Sequence, residues 1–183
     1  GEGVGKDSKE AVKWYMKAAE QGNLVAQSNL GFMYDRGEGV ERDRKEAINW
    51  YRKAAEQGLA SAQVNLGWSY RSGDGVPKDF KEAVKWYTKA AEQGDAQAQY
   101  SLGLMYDSGE GVTKDTKEAA MWISRSAEKG NAEAQHTLGF WYATGNGVLK
   151  QNKEAVKWYL RAAEQGLVYA PVSYTHLRAH ETR

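Results

Sequence analysis

The chain has 183 residues, 41% of them hydrophobic, a formal net charge of +1 and no cysteine. Without cysteine there is no disulfide framework and no thiolate chemistry. A near-neutral chain gives no electrostatic reason to expect nucleic acid or an anionic membrane surface, and no apolar run approaches the roughly 18 residues of a membrane span.

Read in chain order, residues 1–6 form a loop equivalent to Gly37-Glu38-Gly39-Val40, so the sequence reads as starting inside a repeat. On that reading a leader peptide would lie outside it, leaving cytoplasmic and periplasmic or secreted locations both open. A helix is predicted next, capped by Asp7 with Glu10 three residues on. The cap aspartate accepts from free backbone N–H groups, and the glutamate reaches back to the cap. Ala11, Trp14, Tyr15, Ala18 and Ala19 share one face, with Lys9, Lys13 and Glu20 on the other. Glu10 and Lys13 are spaced to pair weakly. Gly22 ends the helix. A second helix carries the stripe Ala26, Leu30, Met33, Tyr34 and holds Gly31 in its interior. Such a glycine costs about 1 kcal/mol against alanine, so its recurrence predicts a close helix crossing. Gly37 and Gly39 stop this helix.

The pattern then repeats every 36 residues without insertion or deletion. The tryptophans fall at Trp14, Trp50, Trp86, Trp122 and Trp158, and the interior glycines at Gly31, Gly67, Gly103 and Gly139. Repeats are placed at 7–42, 43–78, 79–114 and 115–150, with a truncated fifth at 151–170 whose helix begins with Gln151 in place of the capping aspartate. A fixed period of this length signals stacked units that bury a continuous core between neighbours. The tryptophans and interior glycines are assigned to that framework. The expected fold is all-α, a solenoid of stacked antiparallel helix pairs.

Residues 171–183 match no repeat. The string from Val172 to Thr182 resembles the translated mosaic-end adapter of transposase-made sequencing libraries. Without this tail the array is formally neutral, and His176 and His180 carry no functional weight.

Two stretches carry a family resemblance. One is Lys81-Glu82-Ala83-Val84-Lys85-Trp86-Tyr87-Thr88-Lys89-Ala90-Ala91-Glu92-Gln93-Gly94. The other is Ala98-Gln99-Tyr100-Ser101-Leu102-Gly103-Leu104-Met105-Tyr106 followed by Gly109-Glu110-Gly111-Val112. These resemble the Sel-1-like repeat family, a relative of the tetratricopeptide repeat, over essentially residues 1–170. The resemblance implies a right-handed α-α superhelix used as an adaptor or scaffold for proteins, common in bacteria. One cysteine-rich branch is linked to binding or hydrolysing β-lactams, and the lack of cysteine argues against it here. A structural spacer within a larger protein is the other alternative.

No catalytic constellation is present. His136 is the only histidine outside the tail, and no nucleophile–base order or metal-ligand spacing occurs. Gly1 to Ser8 lacks the spacing of a phosphate-binding loop. No catalysis, cofactor or metal is expected; a protein or peptide partner is. Positions that drift between repeats are the candidates for contacting it. On the first helices these are Lys13, Asn49, Lys85, Met121 and Lys157, and a second column of Met16, Arg52, Thr88, Ser124 and Leu160. On the second helices they are Ser28, Val64, Tyr100 and His136. The resemblance implies that first helices line the binding groove.

Overall fold

The computed structural model describes residues 2–167, with side chains from Asp7 onward. All regular structure among them is helical: α1 (Glu2–Glu20), α2 (Leu24–Arg36), α3 (Arg44–Glu56), α4 (Ala60–Ser72), α5 (Phe80–Glu92), α6 (Ala96–Ser108), α7 (Thr116–Glu128), α8 (Ala132–Thr144) and α9 (Asn152–Glu164). The chain divides into two compact units, Gly1–Gln93 with α1 to α5 and Gly94–Arg183 with α6 to α9. The adapter-like tail lies outside the described residues.

The predicted caps form at Asp43, Asp79 and Asp115 but not at Asp7, which lies inside α1 because that helix runs on from Glu2, and only half of the reciprocal capping arrangement forms. The side chains of Asp43, Asp79 and Asp115 each accept from the two backbone N–H groups two and three residues on. The cap residue's own N–H does not turn to the glutamate. It donates to the preceding helix: Asp43 to Tyr34 O at 3.0 Å, Asp79 to Tyr70 O at 2.9 Å, Asp115 to Tyr106 O at 2.9 Å. A backbone carbonyl left over at a helix end is the nearer acceptor, so the glutamates are released for other contacts. Gln151 makes no side-chain cap bond.

Residues 2–6 depart from the expected loop, because α1 is helical from Glu2. At the equivalent places the loop follows a helix that ends on a left-handed glycine, such as Gly37 at φ 73°. This sequence holds no helix ahead of α1 to impose that turn, and the backbone continues as helix.

Packing sets a phase that spacing alone leaves open. Within each compact unit, α2, α4 and α8 pack more extensively on the first helix of the next repeat (α3, α5 and α9) than on the first helix of their own, and α6 packs closely on α7. The interior glycines lie at those crossings. A Cβ on Gly31 would sit 2.7 Å from the Tyr51 ring, on Gly67 2.9 Å from Tyr87, on Gly103 2.8 Å from Ile123 and on Gly139 2.9 Å from Tyr159.

Buried glutamines tie the stacks together. Gln27, Gln63 and Gln135 donate to the Ala19, Ala55 and Ala127 carbonyls at 3.1, 3.0 and 3.1 Å. Each accepts in turn from a glutamine one repeat along, Gln57, Gln93 and Gln165. Satisfying a buried amide this way avoids a desolvation cost of about 1–3 kcal/mol.

Candidate functional site

Four of the five repeat tryptophans lie in the core and the first does not. Trp50, Trp86, Trp122 and Trp158 are buried, whereas Trp14 is 63% exposed, a correction to its assignment as core. Trp50 packs with Leu30 and Met33 of α2, and Trp86 with Leu66 of α4, so each indole is covered by the helix of the preceding repeat. No such helix lies before Trp14 in this sequence. The outer ring faces carry cations from the last helical turn: Lys53 at 3.9 Å, Lys89 at 4.4 Å, Arg125 at 4.8 Å and Arg161 at 4.7 Å from the ring centroids. This column is basic in every repeat, a regularity in the sequence that marks it as packing.

The first-helix column is solvent-facing but internally compensated. In the first unit Lys13, Asn49 and Lys85 are exposed. Asn49 donates to Glu46 at 3.2 Å, and Lys85 pairs with Glu82 at 3.0 Å. In the second unit Lys157 is exposed and pairs with Glu154 at 3.2 Å, while Met121 is half-buried. Because Met121 offers no donor, Glu118 takes the Trp122 indole N–H instead, at 3.0 Å. The carboxylates that do this are the ones released from the caps. In the second column Thr88 is half-buried, and Arg52 donates to the Tyr70 hydroxyl at 3.1 Å, a bridge between α3 and α4.

The drifting second-helix positions are drawn inward. Ser28 is buried and Val64 half-buried. Tyr100 lies 3.4 Å from Thr137, hydroxyl to hydroxyl, and His136 rests 5.4 Å from the Tyr159 ring.

A neighbouring column, one that the drift criterion passes over, is the exposed one. The residue after each interior glycine is apolar in every repeat: Phe32, Trp68, Leu104, Phe140. Phe32, Trp68 and Phe140 are 42%, 49% and 48% exposed. In the first unit Phe32 and Trp68 flank a cleft. Phe32, Asp35 and Arg36 reach it from one face of α2, and Asn65, Trp68 and Ser69 from the matching face of α4. Tyr51 of α3 closes the floor, admitted by the missing side chain at Gly31. Burial, and secondarily Asp35, pushes the Tyr51 phenol well above its usual range, so it stays protonated. Asp35 is matched by Arg44 at 3.6 Å, and Arg44 also bonds Asp74. Arg36 stacks on the Phe32 ring at 5.4 Å.

Chemically the cleft offers apolar walls, a guanidinium and a carboxylate, a carboxamide, a hydroxyl and a phenol. Among the described residues no group of His, Asp or Glu side chains is arranged to hold a metal ion, and no helix is long and apolar enough to cross a membrane.

The chain matches the Sel1 repeat model over residues 1–23, 24–59, 60–95, 96–131 and 132–167. In that phase α2, α4, α6 and α8 lead their family units, in agreement with the tighter packing of α2, α4 and α8 on the helix that follows. Among solved structures, a Sel1 repeat protein from Oxalobacter formigenes is 44% identical, with a TM-score of 0.83 over 87% of this chain and 63% of that one. The protective antigen c5321 of uropathogenic Escherichia coli, which displays an SLR fold, is also 44% identical, with a TM-score of 0.81 over 84% of this chain and 33% of that one. The chain thus spans less than two thirds of either relative. Helicobacter pylori cysteine rich protein B is 27% identical, with a TM-score of 0.54, over 72% of this chain and 94% of that one. No curated protein matches. The fold is the all-α helical-repeat superhelix of these structures, and the chain belongs to the Sel1 repeat family.

Proposed function

We propose that the chain is a non-catalytic scaffold that binds protein or peptide segments. Sel1 repeats are generally protein-interaction scaffolds. The observation that carries the reading for this chain is the column of apolar side chains left exposed on the second helices, Phe32 and Trp68 in the first unit and Phe140 in the second. Large apolar groups displayed at regular intervals mark interaction surfaces. They also lie on the helices that lead each family unit. The first-helix positions Lys13, Asn49, Lys85, Met121 and Lys157, with Arg52 and Thr88, form a secondary surface in this reading, since most of their polar groups are already engaged within the chain.

A β-lactam-handling activity of the cysteine-rich kind has no support in a chain without cysteine. The test is a photo-crosslinking amino acid placed singly at positions 68, 140 and 85 and exposed to a bacterial lysate. Covalent protein adducts are expected at 68 and 140, with fewer at 85. The absence of adducts at all three positions would overturn the scaffold reading.

A further inference from the structure

The second unit does with an amide what the first does with an arginine. In the first unit Asp35, at the end of α2, and Asp74, in the loop after α4, both reach Arg44. Two repeats on, the same places hold Asp107, Asn146 and Thr116. Thr116 supplies no cation, and among the described residues Asp107 forms no ion pair. Asn146 instead donates its side-chain amide directly to Asp107, at 3.4 Å, longer than an ordinary hydrogen bond.

The residue after Asn146 is fixed by the fold. Gly147 has a left-handed backbone, φ 66°, and a Cβ there would collide with the Thr116 carbonyl oxygen. In the other loops of this kind the residue before that glycine is an acid, Glu38, Asp74 or Glu110, so Asn146-Gly147 is the one Asn-Gly step in the sequence. No side chain screens the Gly147 nitrogen, and among the described residues its N–H donates no hydrogen bond. Every other asparagine is followed by a residue that has a side chain and lies in a helix: Leu24, Leu30, Trp50, Leu66, Ala132 and Lys153.

We infer that Asn146 is a site of spontaneous deamidation, and that the change sets a second carboxylate against Asp107 and loosens the loop between α8 and α9. The Gly147 nitrogen gives up its proton to solvent base and attacks Asn146 Cγ. The N–Cγ bond forms, the Cγ–Nδ2 bond breaks, and ammonia leaves with a proton from water. The resulting succinimide is opened by water at either carbonyl, to aspartate or to isoaspartate, so the sum is asparagine plus water giving acid plus ammonia. The product cannot donate to Asp107, and two carboxylates then face each other where the first unit needs Arg44 to hold such a pair. The end of this loop is tied down by the Gln151 N–H, which donates to Tyr142 O at 2.8 Å.

The test ages the folded chain at mildly alkaline pH and maps its peptides by mass, with an isoaspartate-specific methyltransferase to mark the rearranged product. Asn146 should convert ahead of every other asparagine. Hydrogen exchange then reads the consequence. In Asn146→Asp the Gln151 amide should exchange several-fold faster than in the parent, by a margin that shrinks as salt is added. Adding Thr116→Arg, which rebuilds the arrangement of the first unit, should restore the parent rate. Aged parent protein separated by ion exchange carries the product in a chain that folded beforehand, so a folding defect in the variant does not obscure the result. Conversion of Asn146 in the urea-unfolded chain but not in the folded one would overturn the inference, as would earlier conversion of another asparagine. An unchanged Gln151 rate in both the variant and the aged protein, or a faster rate that Thr116→Arg does not correct, would overturn the proposed charge clash.

Discussion

The two units of the chain are built on one framework and finished differently. Leu66 and Leu138, Trp86 and Trp158, and Gln63 and Gln135 occupy matching positions and are buried to the same degree. Nearer the surface the first unit sets Arg36 and Asn65 where the second sets Ser108 and Thr137. Stacking constrains the framework in every repeat, because each unit must cover its neighbour's apolar face. The exposed positions carry no such constraint, and there the two halves have diverged. Regularity at the buried positions therefore reports packing, while the differences between the halves fall at the more exposed ones.

The largest effects should be those the halves share. Trp86→Ala and Trp158→Ala should each destabilise by about 3–5 kcal/mol, read from urea unfolding followed by circular dichroism. Trp14→Ala, whose ring is largely in water, should shift the same curve by less than about 1 kcal/mol. A Trp14 effect as large as that of Trp86 would mean that something covers the first indole, and the cover-by-the-preceding-repeat rule would fail.

A smaller effect should separate the halves. Gly31→Ala drives a methyl to 2.7 Å from the rigid Tyr51 ring, whereas Gly103→Ala meets the Cδ1 and Cγ1 carbons of Ile123 at 2.8 Å. Overpacking costs about 1–3 kcal/mol, against about 1 kcal/mol regained from helix propensity. The flexible isoleucine can swing aside and the ring cannot, so Gly31→Ala should lower the melting temperature more than Gly103→Ala. Equal shifts would show that the backbone carbonyls near each glycine, Ala47 O and Ala119 O at 3.1 Å, set the cost instead.

What was legible in the sequence divides along the same line. The helices, the aspartate caps and the glycines at close crossings follow from local chemistry repeated at a fixed step, and they are present except for the cap at Asp7, which lies inside α1. The phase of the packing was not legible, because a 36-residue period is the same wherever it is cut; only the tighter fit of α2 on α3 decides it. The burial of Trp14 was misjudged because identical residues imply identical surroundings only where both neighbours exist. The glutamates at the third helical position were expected to bond the caps, and the Tyr34, Tyr70 and Tyr106 carbonyls took those N–H groups instead. The column of Phe32 and Trp68 escaped the drift criterion because all its members are apolar, and exposure is a property of the folded surroundings that spacing does not state.

The smallest contrast lies at the helix starts, and it sharpens the comparison without touching the core. In the first unit α3 and α5 are capped by Asp43 and Asp79. In the second, α7 is capped by Asp115, whereas α9 begins with Gln151, whose side chain accepts nothing from the helix. Glutamine is one methylene too long to fold back onto the N–H groups of the first turn, and its neutral amide gains nothing from the positive end of the helix dipole. The backbone at Gln151, φ −147° and ψ 99°, nevertheless matches that of Asp115, φ −144° and ψ 101°. An aspartate would need no rearrangement to reach those N–H groups. Gln151→Asp should therefore stabilise by about 1 kcal/mol, and the gain should be local to α9. Native-state hydrogen exchange is the decisive measurement, since amides in the first turn of α9 should slow several-fold while those of α3 and α5 stay as they were. Gln151→Asn, which keeps the reach but not the charge, separates the two contributions: a gain equal to that of Asp assigns the effect to the hydrogen bonds, and a gain of less than half assigns the greater part to the dipole.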